Sequence, residues 1–478
     1  MPPGASRVSN QAYNPQHDLH GTTGPGTRPP ALLVDLYQLT MAQSYFAEGM
    51  HERPATFSLF ARSLPPGWGY LVAAGLDDVL AYLEGFAFTD DELEYLGGTG
   101  LFQADFLVFL AGVRFSGGVR AMPEGTLFFP DEPVLEVAGP ILEAQLAETM
   151  VLNEIHFQSL VAAKAARCMD VAAGRTLVDF SLRRTHRADA GMRVARSSFL
   201  AGFDATSNVL AGLEYGIPTA GTMAHSYIES FPDELEAFRA YCRAYPDRAI
   251  LLVDTYDTVE GARRAAVVGR ELAESGHRLL GVRLDSGDLP QLARDVRAVL
   301  DEAGLGDAIV FASGGMDERD IEGLLAAGAP IDGFGIGSRL GTVADSPHLD
   351  MAYKLVAFDG RPTLKLSGSS AMWPGAKQVW RVAAEDAYAC DVLGLAGEDG
   401  PQGGEPMLVE VMRDGKRVAL GSLVDARARC AAQRALLPER HRSPDAERYD
   451  VERTAGLVEL RQQAVAEALL QHGSPPVA

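Results

Sequence analysis

Between residues 250 and 342 the chain repeats one plan four times: a short apolar run, a turn of Gly, Ser, Thr and Asp, then a helical pattern. The turns are Asp254-Thr-Tyr-Asp257, Arg283-Leu-Asp-Ser-Gly-Asp288, Ser313-Gly-Gly-Met-Asp317 and Gly335-Ile-Gly-Ser-Arg-Leu-Gly-Thr342. Carboxylates accept hydrogen bonds from sugar hydroxyls or bind a metal through oxygen. Glycine backbones leave N–H groups open to phosphate, above all at a helix start. The combination points to an enzyme acting on a phosphorylated sugar.

Two earlier turns extend the series. Arg183 and Arg184 follow the run ending at Phe180, with Arg187 close by. An arginine fork grips phosphate or carboxylate through two parallel bonds. A solvated basic loop would have the same composition, but directly after a strand in an acidic chain an anion clamp is favoured. His225 stands in Gly221-Thr-Met-Ala-His-Ser226. It can serve as a base, a metal ligand or a nucleophile toward phosphate, or simply hydrogen-bond within a loop. Asp257 and Asp288 suit helix caps, while Asp254 can hold His225 or a metal. Asp285 suits ribose hydroxyls or magnesium, and Ser286-Gly287 lets the backbone approach a ligand. Ser313-Gly314-Gly315 and Gly335-Ile-Gly337-Ser338 together read as a phosphate cradle, against the alternative of ordinary turn glycines.

These turns need strands to present them. Apolar runs end near Phe180, Thr219, Val253, Leu284, Phe311 and Gly335, with helical patterns between, such as Asp257 to Ser275 and Leu289 to Ala303. Six strand–helix units predict parallel strands in a closed or nearly closed α/β barrel, with an open doubly wound sheet as the alternative. Ligands then bind at the carboxyl ends of the strands. Upstream, helices are expected over 34–48, from Asp90, and over about 140–173, ending at Gly174. Segments 54–60 and 69–75 read as strands or buried runs, and 119–138 as short antiparallel strands. Downstream, Lys354 to Phe358, Gln378 to Val382 and Met407 to Met412 read as strands, the last turning at Asp414-Gly415 into Arg417 to Leu420. A mobile loop is expected over 391–405 and a terminal helix over 447–471.

Composition narrows the class. The 478 residues allow two or three domains, and the formal charge of -22 argues against nucleic acid. It also means that an anionic substrate needs local arginines or a metal. Four scattered cysteines (Cys168, Cys242, Cys390, Cys430) predict neither a zinc site nor a disulfide framework. The sequence predicts no membrane span and no secretory signal, so a cytoplasmic location is expected. Residues 1–30 read as a disordered tail.

Six segments resemble the nicotinate phosphoribosyltransferase family. They are Val34-Asp-Leu-Tyr-Gln-Leu-Thr-Met-Ala42, Phe180-Ser-Leu-Arg-Arg184, Gly202-Phe-Asp-Ala-Thr-Ser-Asn-Val-Leu-Ala-Gly212, Gly221 to Ser226, Val282 to Leu289 and Phe334 to Ser338. The resemblance spans roughly 31–440 and keeps the family's order. It implies an irregular α/β barrel of the type II phosphoribosyltransferase kind (141–352), packed on a mixed α+β domain (31–140, completed by 353–440), with a C-terminal helix and tail over 441–478. It implies that nicotinate and phosphoribosyl pyrophosphate give nicotinate mononucleotide and pyrophosphate in NAD salvage, driven by ATP through a phosphohistidine and accompanied by Mg2+. His225 then matches the phosphorylated histidine. Tyr37 reaches the nicotinate site from the neighbouring subunit of a homodimer. Arg183, Arg184 and Thr222 match substrate-binding positions, Arg283 and Asp285 match contacts to base and ribose, and Ser286 is expected to bind substrate beside them. Ser313, Gly314, Gly315, Gly335, Gly337 and Ser338 form the 5′-phosphate cradle. Ser338 stands where many members have Thr. The N-terminal tail lies outside the family core, and the cysteine cluster of some short members is absent. A nicotinamide-specific relative, a barrel aldolase or isomerase, and a silent binding protein are the alternatives. The strand ends from 176 to 342 carry no lysine for a Schiff base.

Overall fold

The protein is described from a computed structural model. It covers residues 30–366 and 372–472. The tail expected over 1–30 lies, but for Pro30, outside the described residues.

Six strands form a curled parallel sheet: Thr176–Asp179, Ala205–Thr206, Ile250–Leu252, Gly281–Leu284, Ile309–Ser313 and Gly333–Ile336. Gly281–Leu284 and Gly333–Ile336 are buried at every position, as strands covered on both faces must be. Across the sheet the order runs 205–206, 176–179, 333–336, 309–313, 281–284, 250–252. The run ending at Thr219 joins only through a bridge to Thr206. Among the described residues no ladder joins the two edges, so the irregular barrel is a curled sheet rather than a closed cylinder. Register aligns the strand ends: Ile336 pairs with Asp179, Ser313 with Gly335, and Ala312 with Leu284.

The helices between them start where carboxylates cap them. Asp257 accepts from Glu260 N–H, Asp288 from Gln291 N–H and Asp317 from Arg319 N–H. The two capping readings made for Asp257 and Asp288 therefore hold.

A seven-stranded antiparallel sheet combines early and late segments. Pro54–Ala61 lies between Met351–Phe358 and Pro133–Pro140, and Gly118–Ala121 pairs with Val409–Arg413. The Asp414-Gly415 turn has positive φ at both residues (48° and 70°), as a tight hairpin requires, although only Lys416–Arg417 continues as strand. The long helical stretch is Ile141–Leu146 followed by Glu148–Val171, and Gly174 (φ 78°) follows it.

Two expectations are corrected. The 391–405 segment is not a free loop. Residues up to Leu395 complete the Ala387–Leu395 strand, which pairs with Lys377–Ala384 on one side and Val451–Arg453 on the other. Glu398 then accepts from Leu395 N–H at 2.9 Å. The terminal helix does not begin at 447: it is Ala455–His472, after the Val451–Arg453 strand. The first correction reflects a hairpin with the adjacent Lys377–Ala384 strand, reinforced by the distant Val451–Arg453 strand, which also delays the terminal helix. A helix over Leu423–Leu436, capped by Ser422 and Asp425, was not foreseen.

Candidate active site

The aligned strand ends build one cleft, lined by Phe180, Arg183, Arg184, Arg283, Asp285, the Ser313–Gly315 turn and the Gly335–Ser338 turn. Arg283 is its hub. The guanidinium Nε donates to Ser313 Oγ at 2.8 Å, Nη1 to Thr222 Oγ1 at 3.0 Å, and Nη2 to Asp285 Oδ1 at 2.7 Å. Its planar fork thereby ties together three loops. The same group lies over the Phe180 ring, 5.4 Å from the centroid. Gly335 makes room for that ring: a Cβ there would stand 2.5 Å from it.

Ser313 Oγ also donates to the Asp285 carboxylate. Asp285 N–H and Ser286 Oγ both donate to Asp254 Oδ2, at 2.9 and 2.8 Å. Partial burial pushes the Asp285 carboxyl up, but Ser313, Arg283 and nearby His225 more than offset this, so it sits below the usual carboxylate range. The carboxylate is thus held ionised and aimed.

The glycines are used for their backbones. Gly314 has φ 112°, and a Cβ would meet Asp285 O at 2.1 Å. Gly315 has φ 71° with open space around it. Their N–H groups lie between the end of one strand and the Glu318–Ala326 helix. Arg183 and Arg184 occupy a single 3-10 turn, both exposed, and neither guanidinium makes a hydrogen bond or ion pair to protein among the described residues. Two cations at the cleft are therefore open to an anion.

His225 begins the His225–Glu229 helix, with Nδ1 3.1 Å from Thr255 Oγ1. It does not line the cleft itself but borders Asp285. Tyr37 is the residue that the single chain does not bring to the site. It lies on the Leu36–Ala47 helix, 48% exposed, with its hydroxyl donating to Glu148 Oε2 at 2.8 Å.

Three contributors escaped the sequence reading. Phe180 supplies an apolar wall; its motif was noted but not its ring. Thr255, not Asp254, is the partner of His225. Asp179, fully buried, accepts from Ser181 N–H at 2.8 Å and Thr206 Oγ1 at 2.7 Å, and so pins the arginine turn to the adjacent strand. An apolar run ending in Asp rather than in Gly or Ser was the available signal.

A curled parallel sheet whose carboxyl edge carries two glycine turns, an ionised carboxylate and two arginines with unbonded guanidinium groups has the architecture of the type II phosphoribosyltransferases. The nicotinate phosphoribosyltransferase N-terminal domain model matches residues 32–156, and the nicotinate phosphoribosyltransferase family model matches 175–370. A nicotinate phosphoribosyltransferase of Mycobacterium tuberculosis is 51% identical, covering 81% of this chain and 83% of its own. One from Bacillus subtilis is 44% identical, over 74% of this chain and 73% of its own. The crystal structure of human nicotinic acid phosphoribosyltransferase superposes with a TM-score of 0.79 at 31% identity, covering 90% of this chain and 99% of that one. The chain belongs to the nicotinate phosphoribosyltransferase family.

Proposed function

We infer that this enzyme joins nicotinate to phosphoribosyl pyrophosphate, giving nicotinate mononucleotide and pyrophosphate in NAD salvage. The observation that carries the reading is the Arg283 hub, which ties the Asp285 carboxylate to Ser313 in a cleft that two glycine turns and the Arg183 and Arg184 pair also line.

The pyridine nitrogen is already a free nucleophile, so no general base is needed. It attacks the anomeric carbon as the bond to pyrophosphate breaks, through a state with positive charge on the sugar. The Ser313–Gly315 and Gly335–Ser338 turns receive the 5′-phosphate, and Asp285 with Ser286 receives ribose hydroxyls. Phe180 packs on the pyridine ring. Arg183 and Arg184 meet the anions, stabilising the departing charge. Thr222 fixes Arg283.

Asp254 and Asp285 are the residues that would hold magnesium. Asp254 Oδ1 is enclosed without a hydrogen-bond partner, and Asp285 lies beside it. Two carboxylates plus substrate phosphates are a usual magnesium donor set, and the ion would neutralise pyrophosphate. ATP is the co-substrate, with His225 as phosphoryl carrier at the edge of the cleft.

The active unit is a homodimer in which Tyr37 enters the partner's cleft. Exposed Leu33, Leu36 and Tyr37 on one side, and Val209, Leu210 and Leu213 on another, are apolar surfaces that a second copy would cover. We assign 141–352 as the catalytic domain and 31–140 with 353–440 as its supporting domain. No helix among the described residues is long and apolar enough to cross a membrane, and the four cysteines are free, in keeping with a cytoplasmic enzyme.

The deciding experiment incubates the protein with nicotinate, phosphoribosyl pyrophosphate, magnesium and ATP. Nicotinate mononucleotide and ADP are the expected products. Preference for nicotinamide in a competition assay would overturn the choice of base.

A further inference from the structure

Behind the two glycine turns lies a buried cation that touches no part of the cleft. Lys164, in the Glu148–Val171 helix, has a side chain only 1% exposed. Its Nζ is 2.6 Å from Glu318 Oε2, 2.8 Å from Asp345 Oδ1 and 3.5 Å from Asp317 Oδ2. A buried ammonium persists only when its charge is matched in this way.

The three carboxylates belong to the segments that leave the cradle. Asp317 and Glu318 follow the Ser313–Gly315 turn and start the Glu318–Ala326 helix. Asp345 follows the short Ser338–Gly341 helix that the other turn opens. Arg339 on that short helix reaches back to Asp317 at 3.2 Å and to Asp320 at 2.6 Å. The cluster is anchored from behind. Arg167, one turn further along the same helix, bonds Glu318 at 3.0 Å and the carbonyls of Gly67 and Pro444. The Lys164 ammonium therefore links the segments after both turns to each other, and Arg167 ties Glu318 to the backbone of Gly67 and Pro444.

We propose that Lys164 is a positioning residue for the phosphate subsite: by forming ion pairs with Glu318, Asp345 and Asp317 together, it sets the spacing of the two glycine turns that take the 5′-phosphate. The inference rests on the reading of those turns as that subsite. The chemistry is indirect. Phosphate binding by backbone N–H groups needs several donors converging on one anion, and a small misplacement loses that convergence.

The test uses the full chain and reads the Michaelis constants for phosphoribosyl pyrophosphate and nicotinate separately, with calorimetric titration of inorganic phosphate. Lys164→Met should raise the constant for phosphoribosyl pyrophosphate on the order of ten- to a hundredfold while that for nicotinate stays within about twofold. Asp345→Asn covers the case in which that variant fails to fold, because the Asp345 side chain is 38% exposed. It also separates tether from field. Removing a negative charge near the cradle would tighten phosphate if only the field mattered. Loss of the tether weakens it, and several-fold weaker phosphate binding with unchanged melting temperature is the expected result. Unchanged or tighter binding in Asp345→Asn, or equal rises in both Michaelis constants in Lys164→Met, overturns the proposal. A wild-type protein that bound neither phosphate nor phosphoribosyl pyrophosphate would instead overturn the subsite reading itself.

Discussion

Arg283 Nη2 and Asp285 Oδ1 lie 2.7 Å apart at one strand end, and Ser313 Oγ bonds to both residues. Each group holds the next, so the carboxylate is fixed before a sugar arrives. Asp285→Ala should lower kcat/KM for phosphoribosyl pyrophosphate by roughly ten- to a hundredfold, the value of one or two hydrogen bonds to a charged group. Because its carboxyl is held below the ordinary range, Asp285 stays ionised above about pH 4. Its contribution to stability is present above that range and is lost only as pH falls through the lowered value. A pH–rate profile should show no limb between pH 5 and pH 8, in round figures, that Asp285→Asn removes.

His225→Ala should abolish turnover-linked ADP release, while a slow ATP-independent conversion persists. Parallel assays of nicotinate mononucleotide and ADP check this. ATP-dependent kinetics equal to wild type would remove His225 from the phosphoryl-carrier role.

Arg183→Ala and Arg184→Ala should each raise the Michaelis constant for a substrate anion about tenfold, since each loses a charge-assisted contact. The change should leave the melting temperature in place, because neither guanidinium bonds to protein among the described residues. Steady-state kinetics beside thermal melts separate the two effects.

Tyr37→Ala and His225→Ala should complement one another. If each cleft takes Tyr37 from the other copy, a mixed dimer has one intact site, and an equal mixture recovers about a quarter of wild-type activity. Co-refolding the two variants and assaying ATP-coupled turnover of the mixture tests it; no recovery would return Tyr37 to its own chain.

Glu132 gives a pH-dependent stability. It is fully buried, and burial first, then the Asp391 charge, pushes its carboxyl well above the usual value. A raised value means that its stability contribution is full below the unfolded value of about 4.3 and is lost as pH rises through the folded one. Glu132→Gln, which keeps the acceptor for Phe129 N–H, should therefore gain melting temperature over wild type as pH climbs from about 5 to about 8. A constant difference across that range would contradict the assignment.

The legible parts of the molecule were those in which strand, turn and cap are consecutive. Asp257 and Asp288 cap the helices that follow them, and Gly314, Gly315 and Gly337 sit directly after their own strands. The 391–405 segment was misread because Gly, Glu and Pro dominate its composition. Its strand character comes from pairing on both sides, with Lys377–Ala384 in a hairpin and with Val451–Arg453 far along the chain. Thr255 was overlooked as the partner of His225 for the same reason, since nothing local links residues thirty positions apart.

What the sequence determined by itself was the chemistry at each strand end, because turn conformation and backbone exposure follow from the residues in the turn. Only the tertiary structure decided which ends are neighbours. The strand that opens the series, Thr176–Asp179, lies beside the one that closes it, Gly333–Ile336. That order puts Arg183 and Arg184 across from the Gly335–Ser338 turn, and Arg283 within reach of Thr222 and Ser313. Strand order is set by how helices cover both faces of a twisted sheet, a long-range packing outcome that no single turn encodes.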